Sequence, residues 1–77
     1  MTVYEALKDM PERYKRALER SGLNPSQFGR YARMRELYVE RAAEGVPKMD
    51  IYAEIADKFF MSERRVMEIL KRLNREL

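Results

Sequence analysis

The sequence contains neither cysteine nor histidine. Without cysteine the chain cannot form disulfides or thiolate metal sites, and without histidine it lacks the commonest metal ligand and general base. It also carries no Gly-rich phosphate-binding loop, no nucleophile motif and no cluster of metal-ligating side chains. These absences predict a protein that is not an enzyme and that binds neither a cofactor nor a metal.

Long apolar runs are missing as well, and no stretch approaches the length needed to span a bilayer. The first residues do not follow the basic-then-apolar layout of a signal peptide. We therefore expect a soluble, cytoplasmic protein without a membrane partner. At 77 residues, the chain is expected to form a single domain with a small core.

The excess of positive charge is mild. The chain has 16 Lys plus Arg and 13 Asp plus Glu, a net charge of +3. Residues 1–47 hold nine basic and seven acidic residues, and the remainder holds seven and six. Affinity for nucleic-acid phosphates depends on clustered positive charge, so the composition alone does not favour nucleic-acid binding. A basic patch would have to form where separate helices meet.

Helix signals are dense in this chain, and strand signals are almost absent. Thr2 and Glu5 have the spacing of a capping box, as do Asp9 and Glu12. The other predicted N-caps are Asn24, Asp50 and Ser62. The predicted helices are 2–8, 10–20, 25–43, 51–60 and 63–76. We therefore expect an all-α fold of about five helices, in which residues 1–22 form an N-terminal helical hairpin.

The third predicted helix carries an apolar stripe that is expected to face the core. Arg35 falls inside the stripe, where a charged group must pair with an acid or extend to solvent. Leu37 lies opposite the stripe and Met34 lies at its edge. The stripe residues are Phe28, Tyr31, Ala32, Tyr38, Val39 and Ala42.

Residues 55–69 carry most of the functional information. Ile55, Ala56 and Phe59 recur at one-turn spacing, as in an amphipathic helix. The sequence Met61-Ser62 interrupts this periodicity, and the Ser62 hydroxyl is suited to accept a hydrogen bond from the start of a second helix. The apolar positions of that second helix are Val66, Ile69, Leu70 and Leu73. Two short helices joined by a tight turn are therefore predicted.

Residues 52–70, about a quarter of the chain, resemble the helix-turn-helix of DNA-binding proteins. Ala56 stands where that family needs a small residue at the helix crossing. Met61 and Ser62 match its turn, and the aliphatic pair of its second helix is met by Val66 and Ile69. The stretch 33–73 also resembles, more loosely, the C-terminal domain of phage Mor-type transcription activators.

One turn position departs from the family pattern. Phe60 stands where the family usually has Gly, because a left-handed backbone is needed there and Gly adopts it without steric strain. Either the turn differs in shape, or packing holds Phe60 in place.

The resemblance implies a trihelical core over residues 25–77, with the motif at 51–73. It implies that the chain binds double-stranded DNA sequence-specifically as a small transcriptional regulator, with helix 63–76 in the major groove. The implied base contacts are Ser62, Glu63, Arg64, Met67 and Glu68. The phosphate contacts are expected from Tyr52, Arg65, Lys71 and Arg72.

A second interpretation remains open for the same surface. Its two acids repel phosphates, and the same face is consistent with a solvated surface on which Glu68 pairs with Arg64 and Arg72. The alternative function is a protein-interaction or assembly module built on the same scaffold, without DNA binding. Phe60, an exposed Met67 and the weak net charge favour it.

A single DNA-binding domain of this size buries little surface area on DNA, so we expect a homodimer on a two-fold DNA site. The candidate pairing surface consists of Val3, Leu7, Tyr14, Met34 and Leu37.

Overall fold

A computed structural model describes residues 1–9, 12–13, 15–20, 22 and 24–76; at residues 9, 15, 18 and 25 it describes the backbone alone. Within these ranges the chain is all-α, as predicted, and contains no strand. None of the described helices is long and apolar enough to cross a membrane. The elements are α1 (Val3–Asp9), α2 (Lys15–Arg20), a 3₁₀ turn (Pro25–Gln27), α3 (Phe28–Ala43), α4 (Lys48–Phe59) and α5 (Glu63–Leu73).

Four helices, α1, α3, α4 and α5, supply the buried core of the described chain. We expected about five helices, but α2 is a six-residue element whose described side chains lie outside this core. The buried residues are Val3, Ala6 and Leu7 of α1, Tyr31, Met34 and Leu37 of α3, Ile51, Ile55 and Ala56 of α4, and Val66, Ile69, Leu70 and Leu73 of α5. A single cluster of apolar side chains thus holds the four helices together.

The first helix begins with the predicted capping box. The Thr2 N–H donates to Glu5 Oε1 over 2.9 Å, and the Glu5 N–H donates to Thr2 Oγ1 over 3.2 Å. The backbone hydrogen bond from Thr2 lowers the pKa of the Glu5 carboxyl. The Val3 N–H donates to the Arg75 carbonyl over 2.8 Å, and Thr2 forms an isolated antiparallel bridge with Glu76. These bonds attach α1 to the end of α5.

The second helix starts later than predicted. Asp9 was expected to cap a helix over 10–20, but it is the last residue of α1 and therefore cannot serve as a cap outside the next helix. Glu12 and Arg13 form a turn, and α2 begins at Lys15. The predicted helix residues at 10, 11 and 14 lie outside the described residues, as does Ser21 at its predicted end.

The buried face of α3 differs from the predicted stripe. Met34 and Leu37 are completely buried, whereas Val39 and Ala42 are exposed. The helix has apolar residues on two adjacent faces, and its contacts with α1, α4 and α5 decide which one is covered. Tyr31 lies in the core as expected.

Arg35 is half-buried on α3 and forms no salt bridge with an acid of the described ranges. Its Nε donates to Asn74 Oδ1 over 3.3 Å, and its guanidinium carbon lies 4.9 Å from the centroid of the Tyr4 ring. Of the two expectations, an acidic partner or extension to solvent, the first is not met within the described residues, where an amide and an aromatic face contact the guanidinium instead.

The bounds of α4 and α5 also differ from the prediction. Helix α4 begins at Lys48 after Pro47, whose backbone is extended at φ −60° and ψ 145°. Asp50 is therefore a first-turn residue rather than an N-cap, in a position that suits the helix dipole. Helix α5 ends at Leu73 instead of residue 76, where the chain pairs with α1.

A half-buried ion pair joins α3 to α4. The Arg41 Nε donates to both Glu54 carboxylate oxygens over 3.0 and 3.1 Å, and its Nη1 donates to Glu44 Oε2 over 2.9 Å. The hydrogen bonds from Arg41 lower the pKa of the Glu54 carboxyl, and those to the two glutamates raise the pKa of Arg41.

Candidate nucleic-acid interface

Three residues, 60–62, connect α4 to α5. Phe60 has φ 55° and ψ 51°, the left-handed conformation, and is the sole non-glycine residue with positive φ in the described chain. The Met61 N–H donates back to the Ala56 carbonyl over 3.0 Å. The Phe60 side chain is 94% exposed. The two expectations for this position were a turn of different shape and a Phe60 held by packing. Both are wrong, because the turn keeps the left-handed backbone and the Phe60 side chain is not packed.

The turn ends in the predicted N-cap. The backbone of Ser62 is extended, and its Oγ accepts a hydrogen bond from the Arg65 N–H over 3.1 Å. The Val66 N–H donates to the Ser62 carbonyl over 3.1 Å, which closes the first helical turn. Ser62 thus fixes where α5 begins and which of its residues face the core.

Helix α5 has one buried face and one open face. The predicted base-contact residues lie on the open side, and the structure leaves all five of them exposed: Ser62, Glu63, Arg64, Met67 and Glu68. The Arg64 side chain is 91% exposed. This face contributes nothing to the core, so a partner can reach it without any change in packing.

A groove of about 460 Å³ lies beside this open face, between α5, the start of α4 and the second half of α3. Its lining residues are Tyr38, Lys48, Tyr52, Arg64, Met67, Glu68, Leu70, Lys71 and Asn74. The Tyr38 and Tyr52 rings stack with centroids 6.1 Å apart and an interplanar angle of 20°. The groove brings together five residues predicted for the site: Tyr52, Arg64, Met67, Glu68 and Lys71.

Four lining residues were not predicted: Tyr38, Lys48, Leu70 and Asn74. Lys48 stands four residues before Tyr52, and this spacing places the two side chains on one face of α4. This spacing is present in the sequence, but it was missed because the helix was predicted to start at residue 51, after Lys48. Tyr38 was assigned to the core and is half-buried at the groove wall.

The remaining two phosphate candidates lie on the other flank of α5. Arg65 and Arg72 are seven residues apart, hence on one face, and neither lines the groove. The Arg72 Nη1 donates to the Gly22 carbonyl over 3.4 Å. Gly22 has φ 82°, and a Cβ there would lie 2.8 Å from Arg72 Nη1. Basic residues therefore flank the open face on both sides.

Glu68 is one of the two acids on this open face and is the one that lines the groove. Its carboxylate lies 3.6 Å from Arg64 Nε and 3.8 Å from Arg65 Nη1; the predicted pairing with Arg72 is replaced by that with Arg65. Ion pairs this exposed contribute about 0–1 kcal/mol, so a competing ligand can separate them. Lys48 and Lys71 form no salt bridge within the described ranges, which leaves the groove with a net positive charge.

No group of three or more acidic side chains that could hold a metal ion occurs in the part of the chain described. Comparison with protein-family models, curated proteins and solved structures finds no match for this chain.

Proposed function

We propose that α4, the turn and α5 act as a helix-turn-helix that binds double-stranded DNA, with α5 in the major groove, and that the protein is a small cytoplasmic transcriptional regulator. The observation that carries the proposal is the turn. Its first residue keeps the left-handed backbone even though it is Phe60, and Ser62 caps the next helix. Both features direct the open face of α5 away from the core.

The charges on this face support two kinds of contact. Arg64 is exposed, and a guanidinium in the major groove can donate two hydrogen bonds to guanine, with about 1–3 kcal/mol of discrimination. Lys71 and Tyr52 border the open face on the groove side, and Arg65 and Arg72 border it on the other. Cations on both flanks match a helix lying between the two phosphate backbones that bound a major groove.

Binding to DNA is tested by fluorescence anisotropy, with oligonucleotides selected from a random pool. The logarithm of the affinity is expected to fall linearly with the logarithm of the salt concentration. Arg64→Ala should reduce the preference for the selected sequence, whereas Lys71→Ala should weaken binding to all sequences alike. If the protein changes the anisotropy of no DNA fragment even at low salt, the proposal is wrong.

Glu68 provides a sharper test, namely whether negative charge on this face weakens DNA binding. Glu68→Gln removes a carboxylate that repels phosphates and frees Arg64 and Arg65, so DNA affinity should rise several-fold at low salt and the gain should shrink as salt is added. The matched control is Glu40→Gln, the same charge change at an exposed site on α3. An equal gain for both variants would assign the effect to net charge rather than to this face.

We further propose that two copies occupy a two-fold DNA site. The pairing surface is not the predicted one, since Val3, Leu7, Met34 and Leu37 are buried in the core; Tyr14 lies outside the described residues. The second candidate function, a protein-interaction module, is favoured by the exposure of Phe60. It predicts a complex with a partner protein that barely responds to salt and that Met67→Glu abolishes.

A further inference from the structure

Phe60 combines two features that both lower the stability or solubility of the isolated chain. Its backbone is strained at φ 55°, and its ring is 94% exposed, more than any other large apolar side chain in the described residues. Nothing in the described chain covers the ring. The turn needs this left-handed backbone but could adopt it with glycine and no strain, and strained non-glycine residues cluster at functional contacts.

The surface beside Phe60 carries two acidic side chains. The surface at the turn is lined by Ala56, Asp57, Phe60, Met61, Ser62 and Glu63, and we name it the turn surface. Asp57 and Glu63 are exposed, and neither forms a salt bridge within the described ranges. The two carboxylates give this surface negative charge beside an exposed ring, a combination suited to an apolar site with basic edges.

The groove beside α5 has these complementary properties. Its apolar walls are the stacked rings of Tyr38 and Tyr52, together with Met67 and Leu70. Its edges carry the ammonium groups of Lys48 and Lys71, which lack an acidic partner in the described chain. Aromatic side chains bind favourably against other aromatic rings and against methionine sulfur. The chain therefore carries both an acidic aromatic projection and a basic aromatic groove.

We propose that the groove binds the turn surface of a second copy of this chain. The Phe60 ring of that copy lies in the groove, with the Tyr38 and Tyr52 rings on one side and Met67 on the other. Asp57 and Glu63 of one copy then lie against Lys48 and Lys71 of the other. Reciprocal binding between two copies closes a dimer, and one-way binding extends into a chain of molecules. This contact covers Arg64 and Lys71, so it is separate from pairing on DNA and excludes DNA from α5.

The contact is tested by sedimentation equilibrium of the protein without DNA, at low salt and at concentrations up to about 1 mM, the range of weak transient contacts. Phe60→Gly should reduce the association constant at least about tenfold, because aromatic anchors dominate small interfaces. Gly is compatible with positive φ, so this variant should fold. The matched control is Val39→Ala, which shortens another exposed apolar side chain and should leave association unchanged.

A charge exchange tests whether the groove is the receptor. Asp57→Lys and Lys71→Glu should each weaken self-association, since each places like charges against one another. A mixture of the two single variants should associate more strongly than either alone, because the altered turn surface then meets the altered groove. A wild-type chain that stays monomeric overturns the proposal. So does association that responds to Phe60→Gly but not to Lys71→Glu, because that result assigns the ring to a different receptor. These measurements contain no DNA, so they are independent of the proposed DNA binding.

Discussion

Replacing Phe60 by glycine is expected to stabilise the protein. The residue holds a left-handed backbone, φ 55° and ψ 51°, in which the Cβ of an L-amino acid approaches the following carbonyl oxygen. Glycine has no Cβ and adopts the same conformation without this strain. Because the Phe60 side chain is 94% exposed, its removal deletes almost no packing.

Three terms determine the size of this effect. Relief of left-handed strain contributes about 1–2 kcal/mol, and the greater freedom of glycine in the unfolded chain offsets about 0.5–1 kcal/mol of that gain. Only about 6% of the Phe60 residue surface is covered; taken for a side chain of about 200 Å², this is roughly 12 Å², or about 0.3 kcal/mol of lost burial. The free energy of unfolding should therefore rise by about 0.5 kcal/mol, which raises Tm by about 2–4 °C in a domain of this size.

Thermal and guanidinium unfolding, followed by circular dichroism, measure this difference. Phe60→Ala is the matched control, because alanine also removes the ring but retains a Cβ at positive φ. Alanine should be slightly less stable than the wild type, and glycine should exceed alanine by about 1 kcal/mol. If the glycine variant is no more stable than the alanine variant, the ring and not the backbone determines stability at this position, and the reasoning is refuted.

Three further predictions test the fold. Leu37→Ala should lower the free energy of unfolding by about 2–5 kcal/mol, as expected for a buried leucine. Val39→Ala should change it by less than about 0.5 kcal/mol. A larger loss for Val39→Ala than for Leu37→Ala would indicate that the predicted stripe is the buried face. Ser62→Ala should lower it by about 1 kcal/mol, and Ser62→Thr should retain part of the cap. Because Arg41 lowers the pKa of Glu54 in the folded state, this pair should stabilise the protein above the ordinary pKa of 4.5 and lose its effect as the pH falls through the lowered value. Tm measured against pH should therefore vary less in Glu54→Gln.

The sequence predicted the α4 and α5 region well because its signals are local. The Ser62 hydroxyl acts on a backbone amide three residues away, and the spacing of Val66 and Ile69 determines the buried face of α5 regardless of the rest of the chain. The capping box of Thr2 and Glu5 is equally local and was also correct. Interactions completed within one helical turn can be predicted without knowledge of the tertiary structure.

The buried face of α3 could not be predicted from the helix itself. Apolar residues occupy two adjacent faces, one with Val39 and one with Met34 and Leu37, and both satisfy the helical period. The choice depends on which face α1, α4 and α5 cover, and these contacts exist only in the tertiary structure. The contacts of Arg35 likewise depend on a residue far away in sequence, because its Nε donates to Asn74. The groove was missed for a related reason, since it requires residues of three helices.

Folding and the proposed DNA binding depend on separate residues of α5, so the two can be measured separately. Val66 and Ile69 are buried and fix the orientation of the helix, whereas Arg64 and Lys71 face solvent and touch nothing in the core. Substitutions at the exposed pair should therefore change affinity at constant stability. Phe60 is the exception, because its backbone lies in the turn that orients α5 while its ring is free to contact a partner. Glycine at this position should raise Tm and weaken self-association, and opposite changes from one substitution cannot arise from a purely structural residue.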